Sequence, residues 1–283
     1  MKFTHEENSF KHPFHIIADF ESTLLECDEL YDGLTKEESE KMGTKKYQRH
    51  LQNSFGVKFC CDEIEHDKPL EIINNIDPEI VSKLFIEKIE EYALDAYKLL
   101  QLNKTNIIYT TEQEKEHKIN KICFECNKGY TKDNKKVAHH NHITGNFISS
   151  LCNECNLKFV YKKFIPVYLH NLKGYDSHLF IKALYKYGQK EQELSCIPNN
   201  EEKYISFSKK IKVDEYYCKN DKKIKDVTFE IKFLDTIAFM NSSIEKLVET
   251  KSKACKNVEE LRIQFPNTSK YFTNDDNERN ISI

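Results

Sequence analysis

Ile165 to Phe180 reads IPVYLHNLKGYDSHLF. Ile165 to Leu169 is an apolar run of strand length. His170-Asn171 and a short turn containing Gly174 follow it, and Tyr175-Asp176 stand at the start of a helix predicted over Ser177–Tyr187. The strand presents Asn171 at its end, and Asp176 lies one turn further on, beside the helix N-terminus. Asp176 read alone is a helix cap, because a carboxylate there accepts hydrogen bonds from first-turn N–H groups. Strand, tight turn and helix in this order point to an α/β architecture.

The same alternation of elements continues on both sides. Phe14 to Phe20 (FHIIADF) is a predicted strand that ends in Asp19-Phe20-Glu21-Ser22. Side chains alternate along a strand, so Asp19 and Glu21 share a face. Two such carboxylates repel unless a cation lies between them or one is protonated. D-x-E is also a common tripeptide, equally readable as a solvated strand end. Residues 28–50 read as a loop and Ser54 to Cys61 as a second strand. Ile80, Leu84, Ile89, Tyr92, Ala93, Ala96 and Leu100 recur at helical spacing and predict an amphipathic helix over Glu79–Gln101. Beyond the decisive stretch, Lys203–Ile211 and Thr228–Leu234 alternate as strands around a lysine-rich turn. Ser242 or Ser243 caps a helix carrying Ile244, Leu247 and Val248, and the chain after Pro266 is polar.

Between about residues 104 and 160 the pattern lapses. This segment is polar, with few periodic apolar positions, and it holds two C-x2-C pairs, Cys123/Cys126 and Cys152/Cys155. A stretch of this kind cannot build an ordinary core and needs a staple. Two such pairs separated by a moderate loop can bind one tetrahedral zinc as thiolates, and metal binding would explain how the segment folds. The other six of the ten cysteines have no matching spacing.

Taken together, D-x-E at Asp19/Glu21 and H-N-L-K-G-Y-D at His170 to Asp176 resemble the first two exonuclease motifs of proofreading DNA polymerases. The likeness is closest to the protein-primed family B branch of phages, viruses, organellar plasmids and large transposons. FLDTIAFMNSSIEKL (Phe233–Leu247) and IPNNEEKYISFSKKI (Ile197–Ile211) resemble the same branch. The resemblance implies a ribonuclease-H-like mixed-sheet exonuclease domain that hydrolyses phosphodiesters with two Mg²⁺ or Mn²⁺ ions. Asp19, Glu21 and Asp176 would be ligands. Asn171 and Thr236 would hold the 3′ end of single-stranded DNA, with Tyr175 and Phe20 either contacting bases or packing. A primer-template DNA and a terminal priming protein are the implied partners. The family's third motif, Tyr-x3-Asp, has one candidate in Tyr271 and Asp275, which is followed by polar sequence instead of an apolar helix. The resemblance therefore implies an N-terminal polymerase fragment with an incomplete exonuclease site and no polymerase domain.

The cysteine segment is in turn similar to the recombination endonuclease VII family of His-Me finger nucleases, through its paired C-x2-C motifs, His139-His140-Asn141-His142-Ile143-Thr144-Gly145 and Cys155-Asn156. Carried over, His140 would be the general base and Asn156 a metal ligand. His139 occupies the family's metal-binding aspartate position, and Ile148-Ser149 replace its Arg-Gly pair. The expected organisation is an exonuclease domain split between residues 1–103 and 161–265, a zinc insert in 104–160 and a polar tail in 266–283. The competing readings are a His-Me finger endonuclease or a non-catalytic DNA-binding relic.

Composition bounds these readings. Over 283 residues, 39% are hydrophobic and 31% charged, with a net charge of −3. That charge excludes a globally basic nucleic-acid binder but leaves room for a local groove. Lys158, Lys162, Lys163, Lys209, Lys210, Lys222, Lys223 and Lys225 are the candidates for neutralising phosphates. No run of eighteen apolar residues and no apolar leader segment is present, so the expectation is an intracellular protein without membrane contact.

Overall fold

The computed structural model describes residues 12–26, 48–159, 162–188, 194–198 and 204–265. Tyr271 and Asp275 lie outside the described residues.

The chain forms a mixed α/β structure around one seven-stranded sheet. Its strands are β1 (Phe14–Glu26), β2 (Gln48–Cys61), β3 (Glu71–Asn74), β6 (Phe164–Leu169), β7 (Leu194–Pro198), β8 (Tyr204–Cys218) and β9 (Lys223–Asp235), and their order is β3-β2-β1-β6-β9-β8-β7. β1, β6 and β9 are parallel neighbours, with antiparallel meanders on either flank. β4 (Lys136–His140) and β5 (Phe147–Cys152) form a separate two-stranded hairpin.

The helix α1 (Pro78–Leu102) connects the first meander to the cysteine segment. Asp77 caps it by accepting from Glu79 N at 2.8 Å, and Pro78 sits in the first turn, where no N–H is needed. Its buried stripe runs through Val81, Phe85, Ile86, Ile89, Tyr92, Ala93 and Ala96. Ile80, expected on that stripe, is 40% exposed, because the face that meets the sheet is set one residue later by Val81 and Phe85. α4 (Asp176–Lys186) packs beside α1. Between them Phe20, Phe55, Phe85, Phe180, Phe207 and Phe233 form one aromatic core, with Phe20 stacked on Phe180 at 5.3 Å. Phe20 is thus a core residue, and the base-contact alternative falls away.

Several boundaries differ from the pattern-based expectation. β1 does not end at Ser22 but continues to Glu26, past a register shift between Glu21 and Ser22. β2 begins at Gln48, inside the expected loop, because Gln48–Gln52 pair with that extension. β3, β7, α2 (Thr111–Ile119) and α7 (Val258–Gln264) are too short to show a period, so the sequence pattern does not announce them. Ser243, of the two serines, caps α6 (Ile244–Ala254). The remaining helices are α3 (Asn153–Lys158) and α5 (Ile237–Met240).

Lys209, one of the lysines that could have met phosphate or simply lined a solvated face, instead points into the protein. It is 4% exposed, and its Nζ donates to Glu90 Oε1 at 2.7 Å and to the Tyr187 carbonyl at 3.1 Å. Lys225 is likewise paired, with Asp221. Gly188, at φ +77°, closes over the Lys209–Glu90 pair so tightly that a Cβ there would clash with Glu90 Oε1. Breaking a buried pair from one side strands the other charge at about 3–5 kcal/mol. Glu90→Ala is therefore expected to lower unfolding free energy in urea by roughly that amount. A loss under about 1 kcal/mol would mean that water reaches Lys209.

Candidate carboxylate and cysteine metal centres

Two places in the fold gather chemically active side chains. The first lies where the parallel pairing of the central strands stops, in the middle of β1 and at the C-terminal ends of β6 and β9. In open α/β sheets such ends form the usual ligand crevice, where strand order reverses. Asp19 and Glu21 stand on the exposed face of β1, alternating with buried Ala18 and Phe20. β6 ends at Leu169, and the chain turns at Asn171, whose φ of 66° favours Asn over most residues. Asp176 then opens α4 and is 2% exposed. It is not a cap: Tyr175 holds that position, and no side-chain cap bond forms.

Asp235 ends β9 and is buried. Its carboxylate accepts from the backbone N–H groups of Asn171, Lys173 and Ile237 at 3.1, 3.0 and 2.9 Å, and so ties the β6–α4 turn to the neighbouring strand. Asp235 falls within the Phe233–Leu247 block of the sequence, which by itself assigns it no such role. Its place at the end of a predicted strand was the available signal.

These carboxylates feel one another. Burial, then the charges of Asp19, Asp235 and Glu21, push the Asp176 carboxyl up to about 7. Partial desolvation and then Glu21 hold Asp19 above its ordinary range. A metal-free native state thus keeps a proton on Asp176 that the unfolded chain releases near 3.8, so stability falls as pH rises from about 3.8 to about 7 and then levels. Asp176→Asn is expected to remove that slope and to stabilise the protein at pH 8, without added Mg²⁺ or Mn²⁺, by about 1–3 kcal/mol. Thermal melts of the two proteins at pH 5 and pH 8 measure this. Equal slopes would show that Asp176 is not held above its ordinary range in the folded protein.

The remaining motif residues take distinct positions. Asn171 is exposed, and its side chain lies over Gly174, where a Cβ would collide with Asn171 Oδ1. Tyr175 is half-buried, with its hydroxyl hydrogen-bonded to Ser22 Oγ and 2.7 Å from His50 Nδ1. Thr236 does not present a free hydroxyl: its Oγ1 is 2.8 Å from His170 Nδ1 and 3.3 Å from the Leu169 carbonyl. His170 opens the His170–Asp176 motif but is assigned no role there, and His50 carries no local signal that marks it in the sequence.

The second centre is the cysteine cluster. Cys123, Cys126, Cys152 and Cys155 bring their sulfurs within 4.8 Å of one another. A tetrahedral ion with Zn–S of about 2.3 Å needs sulfur–sulfur edges of about 3.8 Å, and Cys126 Sγ to Cys152 Sγ is 3.9 Å. Among the described residues this is the set of His, Cys, Asp or Glu ligand atoms gathered closely enough to hold an ion, and the carboxylates do not close to that spacing. Burial opposes a thiolate at Cys123. The backbone N–H groups of Cys126, Cys152 and Glu125 outweigh it and bring Cys123 to about 6. Burial and the other three sulfurs push Cys155 up to about 12. Without a cation one thiolate forms at the expense of its neighbours, whereas a metal such as zinc would let all four ionise. The packing around them is meagre: Leu151 is the one fully buried aliphatic residue of the cluster, with Tyr130 and Phe159 at the margin.

Around this cluster β4, β5 and α3 form a ββα unit, in which His139 Nδ1 lies 3.2 Å from Asn156 Oδ1. The two residues carried over as ligands are therefore neighbours. His140 is differently placed. Its Nε2 is 2.9 Å from the Asn103 carbonyl and its Nδ1 3.3 Å from that of Ala138. An Nε2 proton given to Asn103 leaves the ring's lone pair on Nδ1, the nitrogen through which His140 could act as a base. As placed, His140 joins the insert to the end of α1, as do Asn103 Nδ2 to the Ile143 carbonyl at 2.5 Å and Ile143 itself, buried in the main core.

No helix among the described residues is long and apolar enough to cross a membrane. Compared with known protein families, curated proteins and solved structures, the chain matches none.

Proposed function

We propose that this chain is the exonuclease region of a protein-primed family B DNA polymerase, with a ribonuclease-H-like fold interrupted by a zinc-stapled insert. One observation carries the reading: carboxylates from separate motifs converge where the parallel pairing of β1, β6 and β9 ends, and burial together with the charges of Asp19, Asp235 and Glu21 lifts Asp176 to about 7. The run β3-β2-β1-β6-β9, an antiparallel meander followed by two parallel strands, supports the fold assignment.

The donor set fits hard divalent ions, since it is rich in carboxylate oxygen and one member resists ionising without added positive charge. Asp19, Glu21 and Asp176 would hold Mg²⁺ or Mn²⁺, which when bound activates water and stabilises charge on the phosphate. Asp235 positions the β6–α4 turn, exposed Asn171 meets the 3′-terminal nucleotide, and Tyr175 forms the rim. In hydrolysis a water oxygen bonds to phosphorus as the bond to the neighbouring 3′-oxygen breaks, and a mononucleotide is released. The test is digestion of 3′-labelled single-stranded DNA by the zinc-loaded chain in Mg²⁺ or Mn²⁺. Stepwise loss from the 3′ end supports the reading. An intact substrate with a folded protein counts against an exonuclease in this chain.

The His139–Asn156 contact favours a second reading, in which the insert is itself a metal-dependent endonuclease of the His-Me finger class. Cleavage of branched DNA that survives Asp19→Ala but not His140→Ala would select it.

A further inference from the structure

β8 and β9 outrun the rest of the sheet. β9 meets β6 only from Glu230 to Asp235, and β8 meets β7 only from Tyr204 to Lys209. From Ile211 and Phe229 outward the two strands pair, among the described residues, with each other alone, as far as Cys218 beside Lys223. The root of this ribbon is anchored. Ile211 and Phe229 are buried, Val213 packs on the main core, and Tyr97 of α1 donates to Asp214 at 3.1 Å. Past that point the support ends: apart from half-buried Cys218, every residue from Asp214 to Asp226 is exposed. A two-stranded ribbon has little stability of its own, so side chains retained on it need another reason than packing.

The outer ribbon carries aromatic rings and cations. Tyr216, Tyr217 and Ile224 are 52, 60 and 64% exposed. Cross-strand partners share a face, so Tyr216 and Lys225 lie with Cys218 and Lys223 on one side. Tyr217 and Ile224 lie with Glu215 and Asp226 on the other. On that second side Lys212 is shared between Glu215 and Asp226, at 3.1 and 2.8 Å, so carboxylates outnumber the cation. The tip has the opposite balance. Lys219, Lys222, Lys223 and Lys225 stand against one carboxylate, Asp221, and Lys225 takes it. Lys219, Lys222 and Lys223 make no ion pair among the described residues. Lys222, at φ 52°, turns the chain there. One face of the ribbon thus ends in unpaired cations beside an exposed phenol ring, in a chain whose net charge is −3.

We propose that the outer β8–β9 ribbon is a docking surface for single-stranded nucleic acid, with Tyr216 stacking on a base and Lys219, Lys222 and Lys223 facing phosphates. Charge selects a polyanion as the partner, and the open ring selects one with unpaired bases, which a duplex keeps stacked within itself. Glu215 and Asp226 repel a polyanion from the other face, which assigns the contact to the side of Tyr216. The inference does not rest on hydrolysis at the carboxylate site: the ribbon holds a strand whether or not that site cuts it.

The experiment is fluorescence anisotropy of labelled oligothymidylate titrated with the zinc-loaded full chain over a range of salt, without added Mg²⁺ or Mn²⁺, so that no strand is cut. Oligouridylate run beside it tells DNA from RNA, and saturable binding of either supports the proposal. Replacing Lys219, Lys222 and Lys223 together by Gln should lower the slope of log affinity against log salt by about 2, at roughly 0.7 per phosphate contact on a single strand. Tyr216→Ala should weaken binding about fivefold or more, and Tyr217→Ala, on the acidic face, far less. These side chains are exposed, so the variants leave the core undisturbed. Photocross-linking of a strand carrying halogenated uracil should map to the peptide that contains Tyr216. No saturable binding, an unchanged salt slope in the lysine variant, equal losses in the two tyrosine variants, or cross-links confined to other segments overturns the inference. Displacement by polyglutamate as readily as by unlabelled oligothymidylate also overturns it, because the tip would then meet any polyanion. None of these outcomes touches the exonuclease reading, which the digestion assay tests separately.

Discussion

Cys152→Ser is expected to release the bound metal and unfold residues 104–160 while the seven-stranded sheet survives. The reason lies in what the segment can bury. Its own cluster consists of the four cysteines, Leu151 and the edges of Tyr130 and Phe159, far too little apolar surface to offset ordering some fifty residues. Structural zinc in small modules contributes an apparent ~10–16 kcal/mol at neutral pH, so losing one of four thiolates removes the main term that holds the hairpin β4–β5 and α3 together. The sheet has a separate support in its phenylalanine core and α1. Hydrogen exchange followed by mass spectrometry separates the two: amides of β4, β5 and α3 should lose protection, and those of β1, β6 and α1 should keep it. Zinc at one ion per chain in Cys152→Ser, with the hairpin still protected, would show that the cysteines are not the ligands. The interface adds a finer expectation. Asn103 exchanges hydrogen bonds with His140, His142 and Ile143, so protection lost in the insert should extend into the last turn of α1 and stop there.

Asp19→Ala and Asp176→Ala are each expected to reduce 3′-end digestion by about a thousandfold or more. A divalent ion supplies several kcal/mol of transition-state charge stabilisation, and each ~1.36 kcal/mol is a factor of ten in rate. On the exonuclease reading proposed above, removing either carboxylate would displace or expel that ion. The two substitutions should differ in stability. Asp19 is open to solvent on β1, so its loss costs the fold little, whereas Asp176 is buried against like charges and its replacement relieves them. Single-turnover digestion at saturating Mn²⁺ measures the rates. Wild-type digestion unaffected by both substitutions would place hydrolysis elsewhere, and the His139–Asn156 pair of the insert would be the next place to look.

The site was partly legible because its chemistry is written in short spans. Strand alternation put Asp19 and Glu21 on one face, and the pattern of strand, Gly-containing turn and helix put Asp176 at a helix start. Two C-x2-C pairs in a segment without a core pointed to a metal staple, and the four sulfurs do gather closely enough to hold an ion. What escaped the sequence was whatever depended on partners distant in the chain. Lys209 looked like one of many surface lysines until Glu90, on a helix more than a hundred residues earlier, was seen to face it. Asp235 and His170 lay inside quoted motifs yet were assigned no role, and His50 carried no local mark, since their contacts come from the strands beside them. His140 matched a motif, but its hydrogen bond from Nε2 to Asn103 at the end of α1 could not be read from the sequence.

By itself the sequence determined the alternation of strands and helices, the boundary near residue 104 where apolar periodicity stops, and the ligand chemistry of the four cysteines. These are local matters, set by side-chain period, turn residues and ligand spacing over a few tens of residues. Only the tertiary structure decided the strand order, which lets β1, β6 and β9 lie side by side and carries Asp19, His170, Asp176 and Thr236 to one edge. Those positions are separated by up to about two hundred residues of chain. No periodic signal reaches that far, and it is hydrogen-bond register across neighbouring strands that sets which side chains meet.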